Sequence, residues 1–481
     1  MRKWAKISMW TAGALAISAG IIALPFSLSM VGNNQFVFGN FQSYMSNNVM
    51  QTLQDKYDVN WQYYATNAEI PTYIKNKTLD AAVASNNMIA QLAVEGEIQQ
   101  IDWSKFGLRD SDGNLIKSYK QLQSIVSPAT WELCVTLGNE AKLPGWQNKT
   151  ANLLEYCIPY FMQDFVFAYR GPKIDELSDN ASFYDIFNYI TNTSIPNNRF
   201  IKDNSSVMMI KDARTTYDVA KLIEHDRDNP NSTVQINPNP ESWLTTENKS
   251  NTYAPSISEI TNTYKNISNY YSGGKNKNVI TFNSDSGIVL NKLASHEIEG
   301  AFLYNGDAVY AASGGDVAEG GSNLPVFGDD VKDVNDEFHV IIPKDNFVAM
   351  DGIVFNKSLS GTKLDTAYKL AYDISLSGLT EGDNLDDKNS DGQYKYLSVQ
   401  NFDFVNYTPC YKKLLTFAKN DYFGVTGDDP NGNSQEDIQW KLMNINLGDN
   451  NASLNGKVEV PVNNLTESNL NIAFENFLNE V

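Results

Sequence analysis

Residues 79–102 read LDAAVASNNMIAQLAVEGEIQQID and contain a strand, a turn and a helix in direct succession. The run Leu79–Ser85 is short and apolar, which predicts a buried strand. The following stretch, Met88–Val94, is predicted to be helical, and the turn Glu95-Gly96-Glu97 ends it. This segment therefore predicts one strand–helix unit of an α/β sheet.

The same alternation extends on both sides of this segment. Gln35–Asn40 and Val59–Tyr64 are predicted strands, and Val49–Tyr57 and Ile70–Asn76 are predicted helices. The pattern recurs after Ile158. Strands that alternate with helices predict a largely parallel sheet. Because 481 residues exceed one typical domain, two lobes are expected.

The composition argues against two classes of function. Lys and Arg number 37 and Asp and Glu number 57, so the net charge is −20 and nucleic acid is not an expected partner. No GxSxG, P-loop, Rossmann or HExxH pattern occurs. We therefore predict a non-enzyme without catalytic residues, metal or cofactor. The spacing of Cys134, Cys157 and Cys410 fits no zinc motif and favours small buried hydrophobic residues.

The first 34 residues set the expected compartment. Arg2, Lys3 and Lys6 precede the uncharged run from Ile7 to about Met30, which is long enough to cross a bilayer. This charge order places the rest of the chain outside the cell. Residues 1–34 are thus expected to be a signal or membrane anchor. An uncleaved anchor is favoured by the length of the run, and a cleaved signal, followed by secretion, is the alternative.

Polar, low-complexity insertions interrupt the α/β pattern and are expected to be surface loops. They are Asp226–Asn251, Gly314–Asp336, Gly382–Gly392 and Gly427–Asn433. Asp387–Gly392 has the first half of an EF-hand loop, but Ser398 stands where such a loop needs a bidentate Glu. A solvated turn is therefore expected there.

Several motifs resemble those of the bacterial spermidine/putrescine-binding proteins of the PotD type. Residues 36–106 resemble the amino-terminal part of that family, and Gly96–Asp102 matches its GxIxxID stretch. Further matching segments follow in the same order along the chain: Cys157–Phe167, Ile210–Arg214, Glu299–Val309, Ile342–Asp351 and Asn406–Pro409.

The resemblance implies a type II periplasmic-binding-protein fold of two α/β lobes, with a ligand cleft between them and hinge strands connecting them. We expect residues 35–168 with 347–410 to form lobe 1, and residues 169–346 with 411–481 to form lobe 2. The chain is expected to cross between the lobes near Phe167–Gly171 and near Pro343–Phe347.

The resemblance also implies a ligand and a site. A polyamine needs carboxylates for its ammonium groups and aromatic faces for its methylenes and cations. Matching the cleft positions of the family one by one gives eight candidates, namely Phe41, Tyr44, Ser85, Asn87, Asp212, Tyr304, Asp351 and Tyr407.

Three positions depart from the family pattern. Thr215 stands where a second acid is expected, and Asn87 and Ala349 stand where aromatics are common. Asp307 and Asp164 are candidate replacements for the acid. Structural alternatives stay open for the other candidates: Asp212 also fits a helix N-cap, Asp351 a turn and the tyrosines an ordinary core.

These inferences predict an extracytoplasmic solute-binding component of an ABC importer. It would capture a polyamine and deliver it to a permease and an ATPase, which are separate chains because this one has no P-loop. Two alternatives remain: a binding protein for another small cation such as thiamine, and a surface adhesin or an enzyme on the same scaffold.

Overall fold

The computed structural model describes most of the chain. The described residues are 35–42, 44–110, 112–178, 181–201, 207–229, 238–240, 244–248, 253–271, 280–312, 338–425, 435–445 and 458–480. The predicted anchor in residues 1–34 lies outside these ranges, as do the predicted insertions at 314–336 and 427–433. Among the described residues, no helix is long and apolar enough to cross a membrane.

The strands alternate with helices, as the sequence predicted. The strands are β1 Phe36–Phe41, β2 Val59–Tyr64, β3 Ala81–Ser85, β4 Ile158–Arg170, β5 Val207–Ile210, β6 Ile280–Asn283, β7 Gly300–Tyr304, β8 Phe338–Ile341, β9 Val348–Phe355 and β10 Thr408–Pro409.

The helices cover the faces of this sheet. They are α1 Asn47–Tyr57, α2 Ile70–Lys75, α3 Asn86–Glu95, α4 Pro128–Glu140, α5 Phe183–Thr191, α6 Ala213–Asp228, α7 Ile257–Tyr271, α8 Ser286–Ala294, α9 Asn305–Ala312, α10 Gly361–Ala371, α11 Leu397–Val405, α12 Lys412–Phe417, α13 Gln435–Met443 and α14 Asn464–Glu480.

The strand order is β2-β1-β3-β9-β4-β7-β5-β6. Strands β1, β2 and β3 pair in parallel in the first lobe, and β5, β6 and β7 do so in the second. Strands β4 and β9 run antiparallel to their neighbours and lie between the two parallel groups. The architecture is the two-lobed α/β fold that the sequence predicted.

Strand β4 belongs to both lobes. Its residues Ile158–Asp164 pair with β9, and its residues Phe165–Tyr169 pair with β7. The change of partner thus falls between Asp164 and Phe165. All 13 residues of this strand are buried, as expected for a strand covered on both faces.

Each lobe has an apolar core. In the second lobe, Phe167, Phe187 and Phe302 are fully buried, and the ring of Phe302 contacts those of the other two. Cys134, Cys157 and Cys410 are free and buried. This confirms the prediction that they act as small hydrophobic residues.

Candidate functional site

A cavity of about 230 Å³ lies between the two lobes. Its walls come from the turns that follow β2, β3, β5, β6 and β7, where ligands bind in open α/β sheets. The C-terminal segment that begins at Val458 supplies a further wall. The polar and aromatic lining includes Asn67, Ser85, Asn87, Gln163, Lys211, Asp212, Arg214, Thr215, Tyr304, Phe347, Glu459, Glu467 and Glu475.

Asp351 is the central carboxylate beside this cavity. It lies on β9 directly opposite Ser85 of β3. The Ser85 hydroxyl donates to its Oδ1 at 2.6 Å, and the Tyr44 hydroxyl donates to its Oδ2 at 2.7 Å. Gln163 Nε2 lies 3.4 Å from the same Oδ2. Two of these partners, Ser85 and Gln163, line the cavity, so they connect Asp351 to it.

Asp351 is only 2% exposed, and this burial affects the pKa of its carboxyl group. Loss of hydration raises the pKa of this carboxyl above its ordinary value, and the hydrogen bonds from Ser85 and Tyr44 oppose that rise. A cation that reached this carboxylate would replace the lost hydration and favour its charged form.

Asn67 holds Ser85 in place. Its Oδ1 accepts from the Ser85 backbone N–H at 3.0 Å, and its Nδ2 donates to the Ser85 hydroxyl at 2.9 Å. A hydroxyl that already accepts from Asn67 directs its own proton to Asp351. The sequence analysis missed Asn67, because nothing in its local sequence identifies it.

Four of the site residues predicted from the sequence lie together in a layer next to the cavity, namely Phe41, Tyr44, Asp351 and Tyr407. Tyr44 contacts Tyr407 and Phe41 edge-to-face, with ring centroids 5.3 and 6.1 Å apart, and it also binds Asp351. None of these four residues lines the cavity itself. Gly306 permits this packing, because a Cβ there would lie 2.5 Å from the Tyr407 ring.

The other four predicted residues, Ser85, Asn87, Asp212 and Tyr304, do line the cavity. Asp212 is also the N-cap of α6, since its Oδ1 accepts from the Thr215 backbone N–H at 2.7 Å. The Thr215 hydroxyl lies 3.1 Å from the Tyr304 hydroxyl. Thr215, which departs from the family pattern, thus supports an aromatic ring of the site.

Tyr304 lies among three carboxylates. Burial raises the pKa of its hydroxyl most, and the negative charges of Asp212, Glu459 and Asp351 raise it further. These acids come from three separate parts of the chain. An aromatic ring surrounded by carboxylates is a favourable environment for an alkylammonium group.

The cavity lining carries more negative than positive groups. Four carboxylates line it together with two cations, and both cations already have acidic partners. Lys211 Nζ is 2.7 Å from Glu475, and Arg214 Nε is 3.4 Å from Asp218. Among the described residues, no ion pair occupies Asp212, Glu459 or Glu467.

Phe347 was not predicted, yet it supplies an aromatic face to the cavity. It stacks on Phe165 with ring centroids 5.7 Å apart. It precedes Ala349 and Asp351 by the two-residue steps of a strand, so period-two spacing could have identified it. The two candidate replacement acids, Asp164 and Asp307, are buried and do not line the cavity.

Comparison with known proteins identifies the family of this chain. The family model for hypothetical lipoproteins of the MG045 family matches residues 9–443. The chain belongs to this family. The family is described as one of hypothetical lipoproteins. The three cysteines of this chain, Cys134, Cys157 and Cys410, are all buried in the fold. A search of curated proteins finds no match.

Solved structures with a similar fold include a putative spermidine/putrescine transporter and two PotD proteins. A putative spermidine/putrescine ABC transporter from Listeria monocytogenes has a TM-score of 0.51 and 13% identity, and covers 92% of this chain and 98% of its own. The TpPotD lipoprotein of Treponema pallidum has a TM-score of 0.49 and 11% identity, and PotD from Streptococcus pneumoniae has a TM-score of 0.42 and 12% identity. Each match covers 92% of this chain and 99% of the other protein. The first match assigns the type II periplasmic-binding-protein fold.

Proposed function

We propose that this MG045-family protein is the extracytoplasmic solute-binding component of an ABC importer and that its ligand is a polyamine. The observation that carries the proposal is the position of Tyr304, whose ring lines the interlobe cavity among Asp212, Glu459 and Asp351. A polyamine combines ammonium groups with methylenes, and the cavity offers carboxylates for the former and aromatic faces for the latter.

The charge of the cavity supports a cationic ligand over an anionic one. An anion would need unpaired Arg or Lys side chains or a free helix N-terminus. Here Lys211 and Arg214 are paired with acids, and the N-terminus of α6 is capped by Asp212. A bound polyamine would instead neutralise the excess of carboxylates in the lining.

The size of the cavity is compatible with a small, flexible ligand. Its 230 Å³ lies below the ~300–1,000 Å³ typical of pockets for drug-sized molecules. In the proposed cycle the two lobes close on the ligand by a hinge motion near Asp164 and Phe165, where β4 changes partners. The closed protein then delivers the polyamine to its permease and ATPase partners at the membrane to which residues 1–34 tether it.

Isothermal titration of the full chain in detergent tests this proposal. We expect spermidine or putrescine to bind with micromolar or tighter affinity and Asp351→Asn to weaken that binding. Thiamine serves as the comparison ligand, because it is a cation with a different shape. Binding of thiamine without binding of either polyamine would support a solute-binding function but would contradict a polyamine ligand.

No measurable binding of any of the three ligands would favour a surface role on the same scaffold, such as adhesion. The exposed polar insertion at Gly382–Gly392 is the observation that favours this second candidate, since much of it is accessible to partners. An adhesin would lose its surface binding when such a loop is replaced, and it would be insensitive to Asp351→Asn.

A further inference from the structure

The C-terminal segment Val458–Glu480 is an unexpected part of the cavity wall. It supplies Glu459, Glu467, Asn471, Phe474 and Glu475 to the lining. The match to the family model ends at residue 443, so this whole segment lies beyond it. The site therefore includes residues that the family model does not cover.

The start of this segment is fixed to the second lobe through Asn239. The Asn239 side chain donates to the Val458 carbonyl at 2.9 Å and accepts from the Val460 backbone N–H at 2.8 Å. Arg214 donates to the same Asn239 Oδ1. Further along, α14 packs on α6 and α7 of the second lobe. The backbone on either side of Glu459 is thus held in position.

The residue between these two anchors reaches the first lobe. Asn87 Nδ2 donates to Glu459 Oε2 at 3.0 Å, and Asn86 Nδ2 lies 3.3 Å from the Glu459 carbonyl. Asn86 in turn accepts from the Met350 backbone N–H at 2.9 Å, next to Asp351. Gln91 donates to Asn464 at 2.9 Å and adds a second link to the same lobe.

The junction of β3 and α3 consequently holds two carboxylates at once, through Ser85 and Asn87. Ser85 binds Asp351 at 2.6 Å, and Asn87, two residues later, binds Glu459 at 3.0 Å. Two residues of chain span at most about 7 Å, so the side chains that orient the two acids start close together. Both Ser85 and Asn87 line the cavity.

We infer that Glu459 is a ligand-contacting carboxylate that binds the second ammonium group of a diamine or longer polyamine, while the hydrogen-bonded pair of Ser85 and Asp351 binds the first at the cavity-lining Ser85. This inference rests on the proposed function and deepens it, because it makes the C-terminal segment responsible for selecting ligands with two or more ammonium groups over ligands with one. Glu459 is 9% exposed and lines the cavity, and its orientation is fixed by Asn87 before a ligand arrives.

Selectivity for two charges follows from this arrangement. A monoamine satisfies one carboxylate and leaves the other without a cation, whereas a diamine satisfies both. The second charge-assisted contact is the difference between the two ligands, so removing the charge of Glu459 abolishes the discrimination.

The test compares putrescine with n-butylamine, which has the same carbon chain and a single amine. Isothermal titration of the full chain in detergent measures both affinities for wild type, Glu459→Gln, Glu459→Asp and Glu381→Gln. The last is the matched control, because Glu381 is an exposed acid away from the cavity. We expect Glu459→Gln to weaken putrescine binding at least about tenfold and to leave n-butylamine binding unchanged.

Glu459→Asp keeps the charge and the Asn87 contact nearby, so an intermediate loss of putrescine affinity is expected and keeps the test valid if Glu459→Gln does not fold. Unchanged putrescine binding by folded Glu459→Gln, or an equal loss for both amines, overturns the inference and leaves polyamine binding intact. Silence of the wild-type protein towards every polyamine overturns the proposed function, and this inference with it.

Discussion

The hydroxyl of Ser85 and the carboxylate of Asp351 face each other across the antiparallel pair β3–β9, with Oγ 2.6 Å from Oδ1. This contact joins the third strand of the first lobe to the strand that returns to that lobe, 266 residues later. It brings a cavity-lining residue and a buried acid into one hydrogen-bonded unit.

Asp351→Asn is expected to weaken spermidine binding about tenfold or more, because a hydrogen bond to a charged group contributes about 1.5–3 kcal/mol. Asparagine has nearly the same volume. Its single carbonyl oxygen can accept from one of the two hydroxyls of Ser85 and Tyr44, while its amide nitrogen donates to the other. The fold should therefore be retained, as circular dichroism would verify. Isothermal titration measures the affinity, with Glu381→Gln as the control. Equal affinities for Asp351→Asn and wild type would remove Asp351 from the site.

Replacements of Tyr304 separate the role of its ring from that of its hydroxyl. Tyr304→Phe keeps the aromatic face and loses only the 3.1 Å contact with Thr215, so spermidine affinity should fall little. Tyr304→Leu removes the face and should cost about 0.5–2 kcal/mol of binding free energy. Fluorescence or calorimetric titration of both variants gives the comparison. If Tyr304→Phe and Tyr304→Leu bind spermidine with the same affinity, no cation lies over this ring.

Proton release should accompany polyamine binding. Burial raises the pKa of Glu459 well above its ordinary value, and the neighbouring acids Asp218, Asp212 and Glu467 raise it further, against the opposing charge of Arg214. The protonated fraction of this carboxyl must lose its proton to bind an ammonium group, so affinity should rise with pH through the pKa of the empty site.

Calorimetry in buffers with different ionisation enthalpies measures this proton release. The observed heat of spermidine binding should change with the buffer for wild type, and the change should shrink in Glu459→Gln. The same heat in every buffer would show that no buried carboxyl titrates on binding.

The buried carboxyl of Asp164 should make the protein less stable as pH rises. Burial raises its pKa to about 7 in the folded state from an ordinary value of 3.8, and Oδ1 has no hydrogen-bond partner among the described residues. Between about pH 4 and pH 7 the folded state holds a proton that the unfolded state has lost. Its contribution to the free energy of unfolding is therefore present at low pH and is lost as pH rises through about 7.

Asp164→Asn removes this titration. Its free energy of unfolding relative to wild type should increase between pH 5 and pH 7.5, by an amount on the order of 2 kcal/mol. Urea denaturation at the two pH values measures the difference, and Asp112→Asn provides an exposed control. Parallel pH profiles for Asp164→Asn and wild type would contradict this account.

The sequence predicted the fold well because its signals are local. The apolar run Leu79–Ser85 and the helical stretch after it became β3 and α3, and Asp212 before Ala213 became an N-cap. Each of these outcomes depends on residues within a few positions of one another. The type II binding-protein fold was predicted from the resemblance of the ordered motifs to the spermidine/putrescine-binding family.

The site was only partly predictable, because several of its contacts join distant residues. Glu459 meets Asn87 across 372 positions, and its own sequence, Val458–Val462, has no motif that indicates a ligand. Asp164 and Asp307 were plausible replacement acids by sequence, but β4 and α9 bury both away from the cavity. Such placements depend on tertiary packing, which single-sequence patterns do not encode.

The most direct test of the central claim is a crystal structure of the protein with spermidine. The account predicts the ligand in the interlobe cavity, with one ammonium group within about 2.7–3.2 Å of the Asp351 carboxylate or its partner Ser85, and methylenes against Tyr304. An empty cavity at saturating spermidine, or a ligand bound elsewhere on the molecule, would contradict it.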